Sequence, residues 1–195
     1  MTPFKTLLIL TIASTAATSW AETSCFTGGH DSGELTFRSA VEGTRFSGLF
    51  GQFDVEYCMV DGQPEQGQIT VVVETGSADT DNNDRDEALL GPEFFDVEQF
   101  PQSSWSSDSI QATDAGFTAD GTLELRGISA PVAIDFQLSP DGSDQSLSVQ
   151  GQFRMQGGAA INRQDFSVGT GEFADPEFVR NQVDVEFALT LSKSP

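Results

Sequence analysis

The stretch Val183-Asp184-Val185-Glu186-Phe187-Ala188-Leu189-Thr190-Leu191 decides the fold class. Its apolar residues recur every second position, which puts Val183, Val185, Phe187, Leu189 and Leu191 on one face of an extended strand and the intervening residues on the other. Working back along the chain, Leu147, Val149, Phe153 and Met155 repeat the pattern around Gly151, as do Val132, Ile134, Phe136 and Leu138. Shorter rows stand at Leu123 and Leu125 and at Ile69, Val71 and Val73. The longest runs from Arg45 to Met59, where Leu49, Gly51, Phe53, Val55, Tyr57 and Met59 are expected on one face and Gly48 and Gly51 relieve crowding at a bend. Turn chemistry separates the rows at Asp61-Gly62, Asp120-Gly121, Pro140-Asp141-Gly142 and Gly157-Gly158, implying antiparallel meandering connections.

About eight such strands with short turns and one apolar face predict an all-β fold that closes as an up-and-down barrel, although a two-sheet sandwich carries the same signals. The exception is the segment 85–97. There Arg85 to Leu90 is expected to form a helical turn or two before Gly91-Pro92, as a lid or plug.

The N-terminus reads as an export signal. Lys5 precedes an apolar and small stretch from Thr6 to Thr18, and Ser19 and Ala21 supply the small residues a signal peptidase reads, so cleavage is expected after Ala21. That apolar stretch is shorter than the ~20 residues that span a bilayer, so no integral membrane segment is expected. Residues 22–195 are expected to form one domain, exported to the periplasm. Glu22-Thr23-Ser24 ahead of Cys25 lack the residues of a lipoprotein-processing site. An even pair of cysteines in an exported chain points to one disulfide, Cys25 to Cys58, with two unpaired thiols as the alternative. Removing Lys5 leaves 8 basic against 30 acidic residues, a net charge of −22. Such a surface repels nucleic acid and anionic lipid, and is read as solvation in a saline environment.

Catalytic and metal chemistry find little to stand on. His30 is the sole histidine, in a Gly28-Gly29-His30-Asp31 loop, and two cysteines with one histidine give no zinc, copper or haem ligand set at a usual spacing. No Gly-x-Ser-x-Gly elbow accompanies His30, so no enzyme is expected. The acidic run Asp79, Asp81, Asp84, Asp86 and Glu87 departs from the calcium-loop template, with Asp84 where glycine is required and Leu90 where glutamate is. It is read as a solvated turn; no metal and no cofactor are expected, apart from a bound lipid or quinone-like ligand.

The most distinctive segment contains Arg85-Asp86, Leu89, Phe94-Phe95-Asp96-Val97 and Phe100-Pro101. It resembles the YceI-like family of exported, lipocalin-like polyisoprenoid-binding proteins. Three further stretches agree in order: Phe46 to Phe53, Gly121 to Ile128 followed by Pro131-Val132, and Ile161-Asn162-Arg163-Gln164-Asp165-Phe166.

The resemblance implies a lipocalin-like barrel whose interior takes the tail of an isoprenoid, quinone or fatty-acid-like molecule, each buried methylene contributing ~0.8 kcal/mol. Phe37, Phe46, Phe50, Phe53, Phe94, Phe95, Trp105, Phe136, Phe153 and Phe166 are the candidates for the tail, against the plainer reading that they fill a core. Arg85, Asp86, Arg163 and Asp165 are the candidates for a headgroup, because guanidinium forks suit phosphate and carboxylate; Arg85 would equally serve to fix the lid. Family members often carry histidines where this chain has Ala88 and Ala40, which implies a different or uncharged head. The function expected is periplasmic binding, transport or storage of a long-chain lipid. The competing reading is a cell-envelope interaction or stress-response module without a small ligand, and a homodimer is left open.

Overall fold

The computed structural model describes residues 21–140 and 151–194; the expected signal peptide, the Leu147–Val149 row and most of the Pro140-Asp141-Gly142 turn lie outside them. The apolar rows become eleven β segments: β1 (Thr23–Gly29), β2 (Gly33–Val41), β3 (Thr44–Phe50), β4 (Phe53–Val60), β5 (Gln63–Glu74), β6 (Ala78–Asp79), β7 (Gln102–Thr113), β8 (Gly116–Leu125), β9 (Ile128–Pro140), β10 (Gln152–Asn162) and β11 (Gln182–Lys193). All pairings between them are antiparallel, so the segments form a meander.

Eight staves build the wall. β2 and β1 both lie along β11, pairing from Leu189↔Gly33 to Asp184↔Arg38 and at Thr27↔Ser192, so β1 and β2 are one stave broken at residues 30–32. β3 and β4 likewise follow that stave as one unit broken at Gly51-Gln52. Since β11 hydrogen-bonds back to the first stave, the sheet has closed on itself. Closure satisfies the edge groups that a sandwich of the same rows would leave exposed, and it makes the chain an up-and-down barrel.

The break at Gly51-Gln52 shifts the inward row by one position. Phe46 and Phe50 point in ahead of it, and Phe53, Val55 and Tyr57 after it. Leu49, expected inside, lies on the outer surface at 43% exposure. Two expected turns are also strand interior: Asp120-Gly121 lies within β8 and Gly157-Gly158 within β10. Two-residue turns stand at Glu42-Gly43, Asp61-Gly62 and Arg126-Gly127, each with both residues at positive φ, the geometry that matches strand twist, and at Asp114-Ala115, where Gly116 takes the positive φ instead.

The barrel's two ends differ. One carries the Asp61-Gly62 turn, the start of β1 and the end of β11, and is filled by Tyr57, which meets the Phe136 and Phe153 rings edge-on at 6.3 and 6.2 Å, with Phe26 against Phe153 at 4.9 Å. The Cys25–Cys58 disulfide joins directly opposed residues of β1 and β4 near this end. The other end carries the long connections 75–101 and 163–181. The expected helical segment is there as α1 (Asn83–Leu90), its first turn capped by the Asn82 side chain accepting from Arg85 N at 2.9 Å.

Candidate functional site

Between the packed end and the α1 end the inward side chains do not meet. They leave a cavity of about 210 Å³. Its wall is aliphatic and aromatic, with Leu35, Val55, Ile69, Val71 and Val73 on one side and Val132, Ile134, Val183, Val185 and Phe187 on the other. A space of this lining holds water poorly and accepts hydrocarbon well.

Seven of the ten expected aromatics line it: Phe37, Phe46, Phe50, Phe53, Phe94, Phe95 and Trp105. Phe136 and Phe153 do not, because they belong to the packed end, where they close on Tyr57. Nor does Phe166, which is buried in the 3-10 turn Arg163–Phe166 that follows β10. The Trp105 indole crosses β8 and donates Nε1–H to Val132 O at 3.0 Å, so the largest ring in the cavity is tied at its polar edge.

The lid is assembled from α1 and the turns after it. Phe95 N donates to Leu89 O and Asp96 N to Gly91 O, which curl the chain so that Phe94 and Phe95 both point down. Phe95 packs toward Phe50 at 5.9 Å, and Phe94 toward Phe173 of the 163–181 connection at 4.9 Å. Gly169 N and Thr170 N both donate to Glu93 O, and Arg126 donates to Pro92 O, Glu93 O and Ser167 O. One arginine in the β8–β9 turn thereby ties both loops together. Arg126 went unsingled in the sequence, although a long cation in a two-residue turn was the available signal.

The four expected headgroup residues divide. Arg85 stacks over the Phe46 ring at 4.5 Å and donates Nε–H and Nη2–H to Thr80 Oγ1 and Thr80 O. Asp86 accepts from the same threonine, from its N at 2.9 Å and its Oγ1 at 2.5 Å. This pair knots the start of α1 to β6 and does not border the cavity. Asp165 is exposed and accepts from Asn162 Nδ2. Only Arg163 lines the cavity, at 3% exposure. Its donors reach Val168 O, Gly169 O, Val179 O and Arg180 O at 2.8–3.2 Å, and burial lowers its basicity from the ordinary guanidinium value.

His30 lies in the break between β1 and β2, beside Phe53 O and Asp31, and is not part of the cavity wall. Among the described residues the acidic run does not converge on a point: Asp79 caps Asp81 N and Asp86 serves Thr80. No helix of the described residues is long and apolar enough to cross a membrane.

The YceI-like domain model matches residues 21–191, and the chain belongs to that family. A UPF0312 protein of Yersinia pestis (strain Pestoides F) is 31% identical over 123 residues, 63% of this chain and 63% of the relative, and one of Yersinia enterocolitica agrees equally. The aligned stretch thus spans about three fifths of the length of these curated relatives. Among solved structures, Burkholderia cenocepacia BcnA superposes with a TM-score of 0.71 at 22% identity, over 81% of this chain and 95% of its own. A polyisoprenoid-binding domain from Saccharophagus degradans, implicated in plant cell wall breakdown, superposes with a TM-score of 0.60 at 14% identity, over 89% of this chain and all of its own. At these identities the superpositions speak for the barrel.

Proposed function

We propose that this barrel binds one long-chain apolar molecule, an isoprenoid, quinone or fatty-acid-like lipid, and carries or stores it in the periplasm. The observation that carries the reading is the cavity itself. A chain selected only for a stable core would bring the Phe37, Phe50 and Trp105 faces together, since apolar surface left facing empty space forfeits dispersion contacts. Here the packed end shows that the same barrel does close where closure is useful. Membership of the YceI-like family and the polyisoprenoid-binding neighbour support the ligand class. Export is supported by the sequence of residues 1–21, by a family match that starts at residue 21, and by the disulfide.

The test is native mass spectrometry of the protein expressed with its full N-terminus, followed by organic extraction. One long-chain species per barrel, on a chain beginning at Glu22, is the expected result. A barrel that stays empty and takes up no long-chain lipid when equilibrated with extracts of its own envelope would overturn the reading.

A further inference from the structure

The wall of the barrel is not laddered along its whole length. β9 and β10 pair from Phe153↔Pro140 to Gly158↔Asp135, and there the pairing ends although both strands go on. β9 stays with β8 as far as Leu125↔Ile128, and β10 with β11 as far as Asn162↔Gln182. Extending the register would set Ile134, Ala133, Val132 and Pro131 opposite Ala159, Ala160, Ile161 and Asn162. Among the described residues no such pair forms, so the wall is split over that length. Beyond Asn162 the Arg163–Phe166 turn lies against β9 again, which makes the split a window in the wall, about four residues or roughly 13 Å long.

The sequence holds this window open. Asp135 O faces β10, close against Gly157, and backbone direction alternates along a strand, so Ala133 and Pro131 present their backbone to β10 as well. Pro131 has no N–H to give there, and a proline inside a sheet belongs on an unpaired edge. On the β10 side, Gly157, Gly158, Ala159 and Ala160 carry no side-chain atom beyond Cβ, so no bulk from them fills the opening.

The window joins two spaces. Val132, Ile134, Ala159 and Ile161, on its two edges, all border the inner cavity. Ala133, Asp135, Gly158 and Ala160 border a cleft on the barrel's outer flank, and Ala159, Val185 and Phe187 border both spaces. The other ways in are obstructed. A chain entering at the packed end would have to part Tyr57 from Phe136 and Phe153. One entering under the lid would have to break the bonds that Gly169, Thr170 and Arg126 make to the carbonyls of Pro92 and Glu93. At the window no strand pairing stands in the way.

Resting on the lipid-binding reading above, we infer that the apolar chain passes into and out of the cavity sideways, through the window between β9 and β10. The lid is then a fixed roof. Passage here bares only small residues and one unpaired strand edge, and the roof keeps its hydrogen bonds throughout.

The experiment measures uptake and release of the fluorescent long-chain probe cis-parinaric acid by stopped flow on the delipidated full barrel carrying Ala160→Cys. Ala160 is exposed on the outer side of the window, and Cys25 and Cys58 are tied to each other, so the new thiol alone takes a maleimide. The same protein before and after modification is its own control for folding. A bulky maleimide is expected to slow uptake and release together by about tenfold and to leave the equilibrium affinity within about twofold, the signature of an obstructed route to an unaltered site. A bismaleimide staple across Ala133→Cys and Ala160→Cys should slow both rates likewise, while the same bulky adduct at Leu49→Cys, exposed on β3, should change neither. Rates unchanged by plug and staple, or slowed equally by the adduct at Leu49→Cys, overturn the window and leave the cavity standing. Failure of the unmodified barrel to bind the probe overturns the lipid-binding reading with it.

Discussion

The ring of Phe95, carried by the lid, sits 5.9 Å from the ring of Phe50 on the wall, and that contact continues to Phe37 at 5.1 Å. Lid and wall are therefore joined by a run of tilted aromatic contacts. Phe95→Ala removes a ring that already borders open space, so its cost falls at the lower end of the range for buried phenylalanine, about 3 kcal/mol. It should also speed release of cis-parinaric acid in stopped-flow displacement, with little change in the rate for a mutation at the packed end such as Phe153→Leu. Unchanged stability and unchanged release would mean that Phe95 does not seal the cavity.

Gly121 makes room for Trp105. A Cβ at that position would lie 2.5 Å from the indole and 2.4 Å from Ser106 O, and the ring needs this path to reach Val132 O. Gly121→Val is expected to cost about 1–3 kcal/mol through overpacking. In a chain prepared to begin at Glu22, Trp105 is the sole tryptophan, so its emission reports this site alone. A red shift with lost near-ultraviolet dichroism should accompany the substitution; an unchanged spectrum would show that the ring does not cross the strand at Gly121.

The same residue shows where sequence reading stops. Period-two rows located the strands because alternation follows from the geometry of one chain, but Asp120-Gly121 and Gly157-Gly158 read as turns because glycine has two uses that look alike in sequence: positive φ, and close approach of a neighbouring ring or strand. Leu49 was placed inside because the Gly51-Gln52 break, which shifts the row by one, is a property of the curved sheet. For the candidate site, Phe94, Phe95 and the strand aromatics were legible by their spacing and by resemblance. Which aromatics face space and which fill the packed end was not, because Phe136 and Phe153 obey the same alternation as Phe37 and Phe53.

The disulfide closes a span of 33 residues that contains the β2–β3 hairpin and both stave breaks. On the loop-entropy model, replacing both cysteines by serine should cost about 3–4 kcal/mol. The melting temperature is expected to fall by roughly 10 °C in a domain of this size, read by calorimetry. The serine variant should still fold in buffer and keep its cavity, because the pair joins neighbouring residues already held by β1–β4 pairing. A loss below about 1 kcal/mol would place the cross-link's effect in the folded state or in residual denatured structure rather than in loop closure.

Tyr57 is the chain's sole tyrosine, fully buried at the packed end, with its hydroxyl donating to Pro64 O at 2.9 Å. Burial, with a smaller contribution from the negative charge of Glu65, holds its phenol well above the ordinary tyrosine range. The folded-state value exceeds the unfolded one, so the stability from this group is complete below the unfolded pKa of about 10 and is lost as pH rises beyond it. In that alkaline window the unfolded chain releases a proton that the folded barrel retains, at up to about 1.4 kcal/mol per pH unit. Ultraviolet titration of phenolate therefore reads one residue, and in the folded barrel it should stay silent until the protein unfolds, then rise in the same step as the dichroism is lost. Tyr57→Phe should flatten that alkaline limb at a cost near 1 kcal/mol at neutral pH for the lost hydrogen bond. A phenolate signal with a midpoint near 10 in a barrel that remains folded would mean that solvent reaches Tyr57, and the packed end would then be open to water.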